Sequence, residues 1–432
     1  MRDAATADLP AGIHTVIVGI GDLNGILRGK RVAAAHWPSV QKNGIALDNS
    51  FFALDHASRQ IENSWTGDHA GCPDLHIRPT GLLRPVPWEE GVMFALGEAM
   101  EQSLDPSPID PRPILQRVLA RASEMGLEIQ LGAELEFYLY DPATGKPTEE
   151  RPDCYGLDRA GVLEHVLQPI RNQLTEMGIP VEQSNPEYAP GQVEVNIRYG
   201  AAQTAAEHAL ILRGMVKQIA RRHGLRATFM PKPYPEWTGS GFHYHHSAWA
   251  DGKNLFAEGG KLSAMGYAYL AGMQRRMGES SIVAGPTPNA YRRRAPYSYA
   301  PTAATWGRDN RLVALRVIEG HDGAVRIEAR EAGADANPWL LAAVQIAAGL
   351  EGIVEGLEPD AAIKGDGYAA DDVIPIPCTM HDAIDAAKGS SFLRGVLGPH
   401  MVDLLVKQAE QEHALVEAQV TPVELERYLE AM

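Results

Sequence analysis

The chain is short of basic charge, of cysteine and of long apolar runs. Its 39 Lys and Arg stand against 55 Asp and Glu, a formal net charge of −16, which argues against nucleic acid or an anionic membrane as partner. Local basic clusters then have to serve a small anionic ligand. The three cysteines, Cys72, Cys154 and Cys378, are scattered without metal or disulfide spacing and are expected to be inert. The longest apolar stretch, 337–357, is interrupted by Gln345 and Glu351, and no signal peptide is evident. A cytoplasmic protein is therefore expected, with a buried helix at 337–357 instead of a membrane span. Neither GxxxxGKS nor GxxxxGKT occurs, which argues against a P-loop nucleotide domain.

What the chain does have is alternation. From Glu128 to Tyr140, every odd position is apolar (Ile129, Leu131, Ala133, Leu135, Phe137, Leu139), and the even ones include Glu134 and Glu136. Strict period two predicts a strand with one buried face, placing both carboxylates on the open face about 7 Å apart. The same reading places Gln192, Glu194, Asn196 and Arg198 opposite Val193, Val195, Ile197 and Tyr199. It also groups His243, His245 and Ser247 on one face, and Arg326, Glu328 and Arg330 on another. Helical spacing predicts a helix from Asp110-Pro111 and another over 161–177, with Val162, Leu163, Val166, Leu167, Ile170 and Leu174 as its buried stripe. Thr204 with Glu207 reads as a capping box for the next helix. Strands with one charged and one apolar face, joined through helices, imply a sheet backed by helices on a single side. The Pro-rich segment 103–113 separates a small β-rich domain, 1–105, from a larger one, 106–432.

Glu134, Glu136, Glu187, Glu194, Glu328 and His243 are candidates to converge on one face. Such a set is unstable without cations, and its oxygen-rich chemistry suits Mg²⁺ or Mn²⁺ better than zinc. Arg293, Arg311, Arg316, Arg326 and Arg330 offer forked donors for phosphate or carboxylate. Hard metals with many arginines are the equipment of phosphoryl transfer from ATP.

These segments resemble the glutamine synthetase family over nearly the whole chain. The motifs are AELEFYLYD (133–141), EYAPGQVEVN (187–196), GSGFHYHHS (239–247), NAYRRRAP (289–296), WGRDNRLVALRV (306–317) and RIEAREAGADANPWL (326–340), in family order. The resemblance implies an α+β fold: a small N-terminal β-grasp domain, then a catalytic half-barrel antiparallel sheet backed by helices. It implies one metal site from Glu136, Glu187 and Glu194, and a second from Glu134, His243 and Glu328. Arg293, Arg330 and Gly239 correspond to the grip on glutamate, and Arg311 to stabilisation of the transferring phosphoryl group. Glu182, His245, Ser247, Arg316 and Arg326 correspond to nucleotide contacts. Asp48, in GIALDNSFFALD (44–55), corresponds to an acceptor-site aspartate supplied by a neighbouring subunit, the family's bacterial members being dodecamers of two stacked hexameric rings. The flap position that holds glutamate in glutamine-forming members is Tyr299 here, and Thr238 stands where asparagine usually precedes the glycine loop. The segment 299–311 is closer to the branch that makes γ-glutamyl amides. The implied activity is ATP-dependent ligation of glutamate to a primary amine through γ-glutamyl phosphate. Glutamine synthesis from ammonia and a non-catalytic assembly are the alternatives.

Overall fold

The computed structural model describes residues 2–62, 64–149 and 151–431. Its first hundred residues form a six-stranded sheet in which Thr15–Gly21 pairs antiparallel with Leu27–Ala33 and parallel with Val92–Met100. A short helix, Trp37–Asn43, lies between them in sequence, giving the β-grasp order. Asp74–Pro85 is one continuous strand in which Pro79 pairs in register with Gly97, and a register shift follows between Thr80 and Arg84, with Gly81 at φ 66°.

The second sheet has nine strands. Its main order is Trp306–Arg308, Leu315–Ile318, Arg326–Ala329, Phe242–Ala250, Glu128–Tyr140, Gln192–Ala201 and Val181–Pro186, antiparallel except for the first pair. Glu128–Tyr140 is thus an interior strand, between Phe242–Ala250 and Gln192–Ala201. Leu131, Ala133, Leu135, Phe137 and Leu139 on its apolar face are buried. Long helices, among them Ala202–Arg222 and Pro338–Glu355, pack against this core. Pro338–Glu355 is apolar enough by length and composition to cross a bilayer, but 78% of it is buried inside the fold. It starts at Asn337, whose side chain caps Trp339 and Leu340 and whose amide donates to the carbonyls of Asp22 and Leu23 in the first sheet. The same turn is held by Gln408, which donates to Asn24, and by Trp339, against which a Cβ on Gly21 would collide at 2.6 Å.

Three local expectations are corrected. Thr204 lies inside the Ala202–Arg222 helix, which has no side-chain cap, and Glu207 instead receives Arg112 and Gln203. The helix predicted over 161–177 is Leu157–Glu176, and Val162 is 59% exposed because the sheet lies under the opposite stripe. Tyr199 does not share the apolar face of Val193, Val195 and Ile197. A register shift in its pairing with Glu128–Tyr140 turns it onto the polar face.

Candidate active site

Register across the large sheet assembles the polar side chains into three rows. Arg316 stands opposite Glu328, and Glu328 opposite His245. His243 stands opposite Glu134, Glu134 opposite Asn196, and Asn196 opposite Gln183. Glu136 stands opposite Glu194, and Glu194 opposite Asn185. Successive rows are two residues apart along each strand, the pleat period, so all point into one cavity of about 900 Å³. Glu134, Glu136, Glu182, Glu187, Glu194, Gly239, His243, His245, Ser247, Arg293, Tyr299, Arg311, Arg316, Arg326, Glu328 and Arg330 all line it.

Two ligand-sized groups sit within this set. Potential ligand atoms of Glu134, His243 and Glu328 lie within 4.8 Å of one another, as do those of Glu134, Glu136 and Glu194. Glu134 thus bridges the two. Glu187 stands slightly apart, its carboxylate taken by the Asn185 amide at 3.0 Å and the Tyr188 N–H at 3.3 Å.

The electrostatics divide the site. Burial would raise the Glu328 carboxyl, but Arg330, His245 and His243 hold it down at about 2. Arg330 and Arg316 both donate to it, Arg316 at 2.9 Å. Glu134, half-buried, is held well below its usual range by hydrogen bonds from His243 and His245. No such compensation reaches the other side. Burial, with the charges of Glu136 and Glu134, pushes Glu187 up to about 8, and burial with Glu134, Glu187 and Glu136 pushes Glu194 up to about 11. Buried carboxyls that repel one another, beside the buried Asn196 Oδ1 that has no donor, form a donor set fit for a hard divalent cation.

The cationic groups are held in distinct ways. Arg293 is buried, donates to the carbonyls of Arg330 at 3.0 Å and Glu331 at 3.2 Å, and is lowered by burial to about 10, still charged near neutrality. Gly239 has to be glycine, since a Cβ there would lie 2.6 Å from Arg293 Cγ and 2.7 Å from the Pro231 carbonyl oxygen. Arg330 Nε is buried and without an acceptor, as a group awaiting an anion would be. Arg311 is exposed in the cavity and makes no hydrogen bond among the described residues. Arg326 Nε donates to His245 Nδ1 at 3.2 Å, which leaves His245 Nε2 to carry the proton toward Glu134 at 3.4 Å. Ser247 Oγ accepts from Trp249 Nε1 at 2.8 Å.

Asp48 is the one predicted site residue that this chain does not bring to its own cavity. It caps the short turn Asn49–Ala53 in the small sheet, accepting from the Ser50 N–H and hydroxyl. Tyr299 is in the cavity wall in a left-handed conformation, φ 60°, with its ring 6.2 Å from that of Tyr188.

Several wall residues were not singled out from the sequence. Gln192 is buried and donates to the Gly239 carbonyl at 3.0 Å, while Thr238 Oγ1 donates to it at 2.6 Å. Asn196 Nδ2 donates to Glu134 at 3.1 Å. Both lie on the polar face already visible in the alternation, and only their lack of charge hid them. Tyr199 and Trp249 stack at 6.3 Å beside Ser247, and Tyr155 joins Tyr188 near Glu187. Cys154 also lines the cavity, and burial with the charges of Glu187 and Glu194 raises its thiol.

The glutamine synthetase catalytic domain matches residues 108–428. The chain is 35% identical over 437 residues to a γ-glutamylethanolamide synthetase of Streptomyces coelicolor, covering 97% of this chain and 93% of that protein. It is 32% identical over 438 residues to a glutamate–isopropylamine ligase of Pseudomonas sp, covering 97% of this chain and 95% of that one. Among solved structures, the GmaS/ADP complex superposes with a TM-score of 0.89 at 30% identity, covering 99% of this chain and 100% of that one.

Proposed function

This chain belongs to the glutamine synthetase family, and we propose that it joins the γ-carboxyl of glutamate to an organic primary amine in an ATP-driven reaction. A glutamate γ-carboxylate oxygen bonds to the terminal phosphorus of ATP and ADP leaves. The amine nitrogen then bonds to the acyl carbon of γ-glutamyl phosphate, phosphate leaves, and the nitrogen gives up a proton.

In this reading Glu136, Glu187 and Glu194 would hold one Mg²⁺ or Mn²⁺, and Glu134, His243 and Glu328 a second; bound there, such cations would supply positive charge against the phosphate oxygens. Arg293 and Arg330 grip glutamate at the Gly239 loop, using the open valences of Arg330 Nε. Arg311, which makes no hydrogen bond among the described residues, meets charge developing on the transferring phosphoryl group. Glu182, His245, Ser247, Arg316 and Arg326 contact the nucleotide, and the flat Tyr199–Trp249 pair gives its base a surface to stack on.

One observation carries the amine reading. Tyr299 and Tyr188 face each other at the end of the cavity that holds Glu187, with Tyr155 nearby. A phenol ring takes up no proton near neutral pH but covers apolar or cationic surface, so the wall favours an acceptor with a small alkyl substituent over bare ammonium. The curated relatives named for isopropylamine and ethanolamide support acceptors of that size. Asp48, remote from its own cavity, deprotonates the amine in a neighbouring copy, which requires a homo-oligomer, in our reading two stacked hexameric rings. Three free cysteines suit a cytoplasmic location.

The test is phosphate release with ATP, Mg²⁺ and glutamate across a panel of primary amines that includes ammonium. An alkylamine is expected to give the highest kcat/KM. A higher value for ammonium than for every amine would make the protein a glutamine synthetase.

A further inference from the structure

Behind the substrate-facing sheet, four buried polar groups run in one line through apolar core. Tyr269 and His246 are 0% exposed, and Gln345 and Glu331 5%. The Tyr269 hydroxyl lies 3.0 Å from His246 Nδ1, His246 Nε2 lies 3.0 Å from Gln345 Oε1, and Gln345 Nε2 lies 2.6 Å from Glu331 Oε1. They come from the Ala264–Arg276 helix, the Phe242–Ala250 strand, the Pro338–Glu355 helix and the residue after Arg330.

The direction of this line is fixed by valence. A carboxylate only accepts, so the Gln345 amide nitrogen faces Glu331 and its oxygen faces His246. His246 Nε2 must then carry the hydrogen and Nδ1 must accept from the Tyr269 hydroxyl. Burial pushes the imidazole down to about 3 and the phenol up, which keeps both neutral and leaves this single arrangement. All three hydrogen bonds therefore point toward Glu331. Bonds aligned in this way polarise one another, and in a low-dielectric core they hold the end group firmly.

Glu331 in turn fixes the arginines. Its carbonyl accepts from Arg293 at 3.2 Å and from Arg294 at 3.5 Å, and the preceding carbonyl accepts from Arg293 at 3.0 Å. The Arg330–Glu331 peptide is thus the seat on which Arg293 rests and from which the Arg330 side chain departs. The segment follows the last residue of the Arg326–Ala329 strand and is held on the cavity side by Arg293, Arg294 and the Arg330–Glu328 pair, so the Gln345–Glu331 bond is its side-chain anchor from behind the sheet.

We infer that Tyr269, His246, Gln345 and Glu331 are positioning residues that set Arg293 and Arg330 for the carboxylates of the acid substrate. The inference rests on the role given above to those two arginines. None of the four line residues borders the substrate cavity, so they act only through that pair.

The test measures KM for glutamate and for ATP, with kcat, in the full-length protein. Gln345→Met keeps the volume and removes both hydrogen bonds. It is expected to raise the glutamate KM about tenfold while the ATP KM and kcat stay within about twofold, a loss of ground-state grip. Glu331→Leu removes the acceptor and should behave like Gln345→Met. Tyr269→Phe removes only the far end and should raise the glutamate KM about two- to threefold, an effect that vanishes in the Gln345→Met background because the line is already cut. If Gln345→Met fails to fold, Tyr269→Phe decides alone: an unchanged glutamate KM overturns the inference. So does a Gln345→Met enzyme with both KM values unchanged, or raised equally. A wild type inactive with every acid and amine overturns the ligase reading instead.

Discussion

The two halves of the carboxylate cluster share a sheet, a cavity and a residue, Glu134, yet they are opposites electrically. On one half, Glu328 and Glu134 sit among Arg330, Arg316, His243 and His245 and remain ionised. On the other, Glu187 and Glu194 are buried among carboxyls and are pushed toward the protonated form. The first half is compensated by the chain itself, and the second waits for charge from outside. A cation arriving at the second half replaces protons, whereas one arriving at the first competes with arginines already in place.

The largest contrast expected is in folding stability without divalent metal. Glu328→Ala strands the buried Arg330, while Arg316 keeps Asp309, and should cost about 3–5 kcal/mol, besides abolishing ligation. Glu194→Ala should be neutral or stabilising under the same conditions, because it removes a repelled, desolvated carboxyl. Denaturant unfolding in a chelator measures both, and similar losses for the two variants would break the contrast. Added Mg²⁺ or Mn²⁺ should raise the unfolding midpoint of wild type but much less that of Glu194→Ala.

Arg311, the cavity arginine without a partner among the described residues, bears on catalysis instead of folding. Arg311→Ala should lower kcat by a factor of about 10² or more with little change in ATP KM. A comparable rise in ATP KM would make it a nucleotide anchor.

Proton linkage sharpens the comparison further. Glu187 moves from 4.5 unfolded to about 8 folded, so the native state holds more protons between those values and stability falls as pH rises through that window. Glu328 moves from 4.5 to about 2, so its contribution is present above 4.5 and is lost as pH falls toward 2. In chelator the change in midpoint from pH 5 to pH 8 should be more negative in wild type than in Glu187→Gln, and saturating Mg²⁺ should shrink the difference. Equal changes in the two proteins would refute the assignment.

The smallest effect concerns the acceptor. Tyr299→Glu puts a carboxylate where the aromatic wall stands and should shift the ratio of kcat/KM for the best amine over ammonium toward ammonium by about three- to tenfold. An unchanged ratio would mean that Tyr299 only packs the flap.

Much of this was legible in the chain because strands with one wet face write their pattern at period two. That pattern placed Glu134, Glu136, Glu194, His243 and Glu328 on their faces before any coordinates. It failed at Tyr199, where one extra residue in the strand reverses the count. Thr204 misled because capping depends on where the backbone turns, which Ala201 and not Thr204 decides. Gln192 was readable by position and overlooked by charge. The line from Tyr269 to Glu331 left no trace in the pattern, since its four members come from separate elements that only packing brings together.

The turn at Asp22–Gly25 has a consequence for the order in which the protein is made. Its carbonyls are held by Asn337, 315 positions beyond Asp22, and Asn24 is held by Gln408, 384 positions on. At roughly 5–20 residues per second on a ribosome, Asn337 emerges about 15–60 s after the turn it secures. Through that interval Gly21 has no Trp339 to lie against, and the small sheet waits with its docking edge uncovered. A turn made early is therefore among the last parts to be locked in place, and nascent chains halted before residue 337 should be where protease cuts this segment most readily.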